Sequence, residues 1–542
     1  MAKKSIKALD AKKIKAKVQH LKSKRGVWMN HWQEITDYFL PRKNTVLNHK
    51  SDGQKRTWQI LDNTGIHSNE LLAGALHGLL TNPDLPWFEY TTGNPALDQQ
   101  DDVRKWLQET SRLTHNVLNN SNFQTEVHEL YIDLPSIGTG CMMIEEDDED
   151  IVRFSTKFIA DYYIAENNKG EVDQVYREWH WEAHKIVAEF GIDKCNKEIM
   201  DAFEKTPEKK FCIIHAVYPK TMVDPKAKDE QLMEYISHYI VEDKDFDIGE
   251  YAEFPYVTPR WSKAAGEKYG RSPAMTALPE IKVLNKMNET MLIGAQKMVD
   301  PPLQLPDDGF ILPIITKPGG LNYRRSGNPD DQIKPIFNFT QVDFGYQAMA
   351  DIRKRIKDAF YVDQLKLGQD QKYMTATEVL QRTQESMRLL GPMLGRMQSE
   401  FLRPMIDRVF RILLDRKIID KATIPPSLQG RVIDVKYSSL IAKSQKVNEG
   451  QSILQVVQAA APFLQINPQI GMNFDGDQII RILAGIYGAP QEMLLDKKSV
   501  EQQRQAMAQA QQAQAQAAQG QQQVDNSLTF VKAAKEAQGL NG

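Results

Sequence analysis

Few residue groups in this chain could do chemistry, and each falls short of a complete site. His180 and His184 are spaced i,i+4, a spacing that could let both imidazoles share a metal ion. No third ligand lies at a telling distance, so a structural role is the better reading. Asn473, Asp475 and Asp477 resemble the opening of a calcium loop, but Gln478 stands where glycine is needed and no glutamate closes the loop. Asp477 is therefore read as the cap of a helix from Gln478 to Tyr487. Six consecutive acids, Glu145 to Asp150, could collect cations, although a solvated turn is the simpler reading. His128-Glu129 lacks the second histidine of a zinc-protease helix, and no G-x-S-x-G occurs. Gly266 and Gly270, followed by Arg271-Ser272, have the wrong spacing for a phosphate loop. No catalytic residue, metal site or cofactor is expected, and the chain is not read as an enzyme.

Charge and composition narrow the classes further. With 542 residues the chain is long enough for several domains and a large core. A net charge of -3 excludes a uniformly basic nucleic-acid binder. The distribution is uneven, however: the first 25 residues carry ten Lys or Arg against the single Asp10. That start reads equally as an arm facing DNA or RNA and as the solvated beginning of a helix. Cys141, Cys195 and Cys212 lie far apart, which points to a reducing compartment and away from a disulfide framework. No apolar run approaches the roughly 18 residues needed to span a bilayer. The basic start is not followed by an apolar segment, so it is no secretory signal. A soluble protein, intracellular when made, is expected.

The elements that would position any functional residue are mixed, with helices dominant. Ala11 to Leu40 reads as a helix with Trp28, Trp32 and Ile35 as its apolar stripe, ending at Pro41. Thr64 to Leu80 is a second helix bearing Gly65, Ala73, Gly74, Ala75 and Gly78, small residues that permit close approach. Val103 to Leu118 and Thr125 to Pro135 are further helices, followed by Gly138-Thr139-Gly140, read as flexible. Phe158 to Ala165 and Val172 to Trp179 form a hairpin, Phe211 to Tyr218 and Glu234 to Val241 continue as strands, and Trp181 to Phe190 is a helix between them.

Helical spacing covers Ala277 to Val299 and returns from Gln341 to Phe360. Between them Asp300 to Thr340 holds seven prolines and four glycines, with β-type pieces at Phe310-Ile311-Leu312 and Ile336-Phe337. A helix out, a compact knob and a helix back describe a stalk with a head, a plan suited to reaching another component. Val362 to Tyr373 is a polar loop containing Lys366, Gly368 and Lys372. A long helix then runs from Thr375 to Lys417, capped by Thr375 or Thr377 with Glu378 in its first turn and kinked by Pro392 and Pro404. Arg431 to Tyr437 is a strand returning to the α+β part, and Val447 to Leu495 is helical with an interruption around Pro462 to Gly476. From Glu501 to Gln523, nineteen of 23 residues are Gln or Ala with no apolar stripe: a helix that needs neighbours, or a disordered tail.

These features together resemble the portal, or head-to-tail connector, proteins of T7-like short-tailed bacteriophages. The resemblance is carried by Trp32 to Pro41, by Gly74 to Pro83 ahead of Trp87-Phe88, and by Gly138-Thr139-Gly140. It continues through Arg260-Trp261, Tyr269-Gly270-Arg271-Ser272-Pro273, Met374 to Val379 and Gly485 to Pro490, in order and spacing up to about residue 498. What it implies is an α+β, mainly helical portal-type fold with wing, stem, clip and crown, assembled as a ring around a central channel. The wing would be residues 1–273, the stem helices 274–299 and 341–361, and the clip 300–340. Residues 362–374 would be the tunnel loop, 375–440 the long kinked helix and a wing strand, 441–498 the crown, and 499–542 the tail.

The implied role is a conduit at one capsid vertex for packaging and ejecting double-stranded DNA, made of about twelve copies. The alternative is another virion subunit such as a tail adaptor. Its partners would be duplex DNA without sequence preference, the terminase large subunit, tail adaptor and tail tube proteins, and the major capsid and scaffolding proteins, with no membrane. It would assemble in the host bacterial cytoplasm and reside in the virion. Lys366 and Lys372 would form rings of mobile point charges that guide DNA without clamping it. Arg353, Lys354, Arg355 and Lys357 span more than one helix face, so they divide between DNA contact and salt bridges within or between subunits. Lys317, Arg324 and Arg325 in the clip would dock motor or tail proteins, or simply be solvated.

Overall fold

The computed structural model describes residues 8–43, 59–223, 234–304, 342–365, 391–437, 450–460, 474–487 and 499–512, less a few single positions, with scattered residues elsewhere. In chain order the helices are α1 (Ala11–Phe39), α2 (Thr64–Leu80), α3 (Pro95–Asp98), α4 (Asp101–Asn120), α5 (Phe123–Ile137), α6 (Ala183–Phe190), α7 (Lys197–Lys205), α8 (Pro273–Val299), α9 (Val342–Ala359) and α10 (Val362–Leu365). They continue as α11 (391–397), α12 (Arg403–Asp415), α13 (450–460), α14 (Gly476–Tyr487) and α15 (499–512). The strands are β1 (Phe88–Thr91), β2 (Met142–Asp147), β3 (Ile151–Thr156), β4 (Tyr162–Glu166), β5 (Val172–Glu182), β6 (Lys210–Pro219), β7 (Tyr235–Val241), β8 (Lys244–Tyr251), β9 (Tyr256–Val257), β10 (Leu303–Gln304), β11 (Lys334–Pro335) and β12 (Asp434–Tyr437). Two compact units result, Met1–Trp87 with Arg112–Lys421, and Phe88–Ser111 with Ala422–Gly542.

In the first unit, β4 to β8 form an antiparallel five-stranded meander in sequence order. Alternation sorts its side chains. Ile214, Ala216 and Tyr218 of β6 face Ile14, Val18 and Leu21 of α1, while Phe211 and Ile213 face Ile186 of α6 and Ile199 of α7. The basic start of the chain is thus an amphipathic helix sealed to a sheet by its apolar face, with Lys12, Lys13, Lys22 and Lys24 exposed. Its distal half carries Trp28 and Trp32, whose rings pack on Tyr269 at 6.0 and 5.1 Å.

The β4–β5 hairpin forms as its turn residues require, with Gly170 at φ 80°. The acidic run departs from expectation. Glu145 to Asp147 lie in β2, paired with β3, and only the remainder is a turn. Arg416, just beyond α12, reaches Asp148 at 2.8 Å and Glu146 at 3.3 Å, so the run anchors a helix end. Strand β8 was also not expected, since its acids and lysine carry weak strand signals.

The helix pair of the stalk is as expected in kind. Ser272 caps α8, its Oγ accepting from the Met275 N–H, and Pro273 occupies the first helical position. α9 runs antiparallel to α8: a Cβ on Gly345 would lie 2.8 Å from Met291 Sδ, while Arg353, eight residues on, reaches the region of Asn285 and Asn288. At the base of the knob β10 and β11 pair antiparallel. Inside it the Ile311 N–H donates to the Tyr323 carbonyl at 3.1 Å, and Ile315 and Asn322 exchange hydrogen bonds. Phe310, Leu312, Ile336 and Phe337 lie outside the described residues.

Helix α10 shows that the segment read as a loop from Val362 begins with a helical turn; residues 366–390, including Thr375, Thr377 and Glu378, lie outside the described residues. Pro392 lies within α11. Between α11 and α12, Gln398–Leu402 form a wide π turn. Pro404 explains its position, because it cannot donate to the Glu400 carbonyl and its ring crowds that group.

In the second unit, β1 pairs antiparallel with β12, from Phe88 opposite Tyr437 to Thr91 opposite Asp434. The strand near 431–437 therefore pairs with 88–91, not with the meander. The Gln478 N–H bonds to Asp475 Oδ1 at 3.1 Å, so Asp475 caps α14 where Asp477 was expected to. Asp477 instead accepts from Arg504 of α15 at 2.7 Å. Residues 501–512 of α15 are exposed all round.

Candidate functional site

A dense polar construction lies where the segment 259–273 leaves the sheets and enters α8. Arg260 is 2% exposed and uses all five of its N–H donors. Its Nε and Nη2 grip the two carboxylate oxygens of Glu400 at 3.0 and 2.9 Å, and Nη1 bonds Glu166. The remaining two donate to the Lys268 and Gly170 carbonyls, each at 3.2 Å. Burial opposes the charge on Arg260, but Glu400 and Glu166 outweigh it and hold the guanidinium above its ordinary value. Lys263 also bonds Glu166, and Arg396 reaches Glu400 at 2.9 Å. The π turn is what presents Glu400. One buried cation thereby ties the β4–β5 turn, the entry to α8 and the α11–α12 helix.

Beside it two backbones cross at van der Waals limit. Gly138 ends α5 at φ 88°, and a Cβ there would sit 2.4 Å from the Gly270 carbonyl oxygen. A Cβ on Gly270 would sit 2.1 Å from the Gly138 oxygen. Thr139 Oγ1 accepts from the Gly270 N–H at 2.8 Å, and Ser272 Oγ donates to the Ser136 carbonyl at 2.6 Å. Gly138-Thr139-Gly140, expected to be flexible, is instead a close-packed joint: glycine serves here for contact. On α2 the same holds for Gly65, wedged against Phe39 and Ile281, whereas Gly74 and Gly78 meet nothing within 4 Å.

The basic residues of α9 separate by face. Ile352 and Ile356 are buried, so Arg353 and Lys357 flank the packed stripe while Lys354 and Arg355 are exposed. The Arg353 Nε donates to Asp62 Oδ2 at 2.8 Å, and Asn288 Nδ2 donates to the same oxygen at 3.2 Å. Burial pushes the Asp62 carboxyl up, but bonds from Thr64 and the Arg353 guanidinium win and hold it below the usual carboxylate range. Arg353 is thus a strut between α9 and the start of α2. Lys317 is exposed. Arg324, Arg325, Lys366 and Lys372 lie outside the described residues.

The weaker chemical candidates do not assemble. His180 lies in β5 and His184 in α6, so their spacing does not put them on one helix face. Among the described residues no group of three or more His, Cys, Asp or Glu could hold a metal ion. Cys141, Cys195 and Cys212 are free thiols, and burial pushes the Cys141 thiol up to about 12. His215 bonds the Tyr256 hydroxyl at 2.9 Å and Ser237 Oγ at 3.0 Å, and burial keeps it well below the usual histidine range. It is a satisfied core histidine. Among the described residues no helix is long and apolar enough to cross a membrane. Sequence reading missed Glu400 and Asp62 altogether. The only signal for Glu400 was its position four residues before Pro404 in a helical run.

Residues 11–494 match the model of a family described as bacteriophage head to tail connecting protein. The chain is 32% identical over 491 residues to the probable portal protein of Bordetella phage BPP-1, covering 89% of this chain and 88% of that one. It is 28% identical over 503 residues to the portal protein of Salmonella phage epsilon15, covering 91% and 90%. A chain from the virion of a native gene transfer agent particle aligns at 12% identity over 78% of this chain and 95% of its own, with a TM-score of 0.33, too low to carry an argument. These matches across nearly the whole length show that the chain belongs to the bacteriophage head-to-tail connecting protein family.

Proposed function

We propose that this chain is the portal subunit of a short-tailed bacteriophage, a structural component of the virion with no catalytic role. The carrying observation is the end-to-end match to two phage portal proteins, each covered to about nine-tenths of its length. In this reading about twelve copies close into a ring at one capsid vertex, and the duplex genome passes through the hole during packaging and ejection. α8 and α9 are the stem, residues 300–340 the clip, 362–374 the tunnel loop and 441–498 the crown. Assembly takes place in the host cytoplasm with capsid and scaffolding proteins. The clip, with Lys317, Arg324 and Arg325, meets the terminase large subunit first and tail proteins afterwards.

Lys366 and Lys372 line the channel with flexible ammonium groups, whose contacts are sequence-independent and weaken with salt. Lys354 and Arg355, exposed on α9, are the stem cations available to DNA or to a neighbouring copy, while Lys357 lies closer to the packed face. Arg353, held by Asp62, contributes stiffness instead. The test is the mass of the purified protein together with images of particles seen down their axis. Closed rings of about a dozen copies with a central hole wide enough for a duplex are expected. Solitary globules under conditions where the virus assembles would overturn the reading.

A further inference from the structure

The basic start of the chain is anchored to the wing meander and has no role in the channel just described. Buried Ile14, Val18, Leu21 and Arg25 lock α1 in place. Arg25 donates to the Ile159 and Tyr162 carbonyls at 2.7 and 2.6 Å and lies 4.1 Å from the Tyr163 ring, so the helix can neither roll nor slide easily. With the apolar face committed, helical geometry sets Lys13, Lys17 and Lys24 within about 40° of one another along one flank, over about 16 Å.

A second segment adds to that flank. Tyr269 is pinned between Trp28 and Trp32, which brings its neighbour Lys268 alongside α1. Partial burial first, and then the charges of Lys24 and Lys17, push Lys268 below its ordinary value, with Glu166 opposing. Nearby acids are mostly committed elsewhere. Glu267 is bonded by Arg271, and Glu166 by Arg260 and Lys263. Half-buried Asp173 faces Lys17 and offsets part of that one lysine's charge, although burial pushes its carboxyl up.

We propose that this flank of α1, built from Lys13, Lys17, Lys24 and Lys268, is a docking surface for duplex DNA outside the channel. A row of ammonium groups on the body of a helix has no concavity and no backbone donors, so it does not fit a small discrete anion. It fits a linear polyanion carrying a charge every ~1.7 Å. Lysines, not arginines, give contact without fixed register, as suits DNA that must be spooled and released. An anionic membrane is the poorer match, because Val27 is the one large apolar side chain exposed along α1. The proposal rests on the portal reading only in naming DNA as the polyanion at hand.

A covalently closed DNA minicircle separates the two sites, since it cannot thread a closed ring. The full-length wild-type protein is expected to retain the minicircle, with affinity falling steeply as salt rises. The combined variant Lys13→Gln, Lys17→Gln, Lys24→Gln, Lys268→Gln should bind it at least about ten-fold more weakly, with a salt slope shallower by about 3 to 4. All four side chains are exposed or half-exposed, and an unchanged melting temperature verifies the fold of the variant. Equal binding by wild type and variant overturns the proposal, as does failure of the wild type to retain circles. Tighter wild-type binding to polyglutamate or to anionic vesicles than to the minicircle also overturns it, in favour of a protein or lipid partner. Ring formation and packaging of linear DNA report separately on the portal reading.

Discussion

Arg353 sits among four cations on one stretch of α9, and its neighbours decide which of them is available. Three hydrogen bonds converge on the Asp62 carboxylate, from the Thr64 N–H at 2.9 Å, Arg353 at 2.8 Å and Asn288 at 3.2 Å. The guanidinium is 36% exposed while Asp62 is nearly covered, so solvent screens part of the pair. Arg353→Ala should therefore cost about 1 kcal/mol at neutral pH. The sign of its pH dependence follows from Asp62. Its folded carboxyl lies below the ordinary 3.8, so the stabilisation is fully present above that value and is lost as pH falls through the folded value. Denaturation curves of wild type and variant should differ at neutral pH and converge well below pH 3.8. A gap that persists in acid would mean that packing by the arginine stem, and not the ion pair, is what was removed.

Elements meet through backbone as well as side chains, and the joint between the end of α5 and the entry to α8 uses both. The carbonyls of Gly138 and Gly270 occupy the space a methyl group would take. Arg260 adds a buried, fully satisfied ion network, the kind that costs most when one partner is lost. Gly270→Ala should force the two segments apart, destabilising the protein by about 1–3 kcal/mol and lowering its melting temperature by several degrees. Gly78→Ala on α2, where nothing lies within 4 Å, is the matched control and should be neutral or slightly stabilising. Equal melting temperatures for the two variants would show that the joint has slack.

At the scale of the whole molecule, the net charge of -3 leaves one copy with little attraction for DNA. In the proposed ring that arithmetic would change, because each lysine of the proposed tunnel loop would be repeated about twelve times. On the proposed tunnel-loop role, replacing Lys366 and Lys372 with alanine should leave ring mass unchanged yet reduce DNA packaging or retention. Normal yields of full particles from that variant would remove the loop from the DNA path. In that proposed ring the lysines along α1 would be multiplied likewise, so that a weak flank on one copy would become a belt.

The sequence alone determined what depends on local pattern. Helical periodicity marked α1, α2, α8 and α9, and alternation marked β4 to β7. Each is a statement about which face of an element is apolar, and that face is written in consecutive residues. Tertiary structure alone decided the pairings between distant residues. That Arg260 would find Glu400, that Arg353 would find Asp62, and that Phe88–Thr91 would pair with Asp434–Tyr437 depends on chain segments brought together over 140, 291 and more than 340 positions. It also reversed the meaning of Gly138-Thr139-Gly140. A glycine reads locally as freedom, but with another backbone at contact distance it is the only residue that fits.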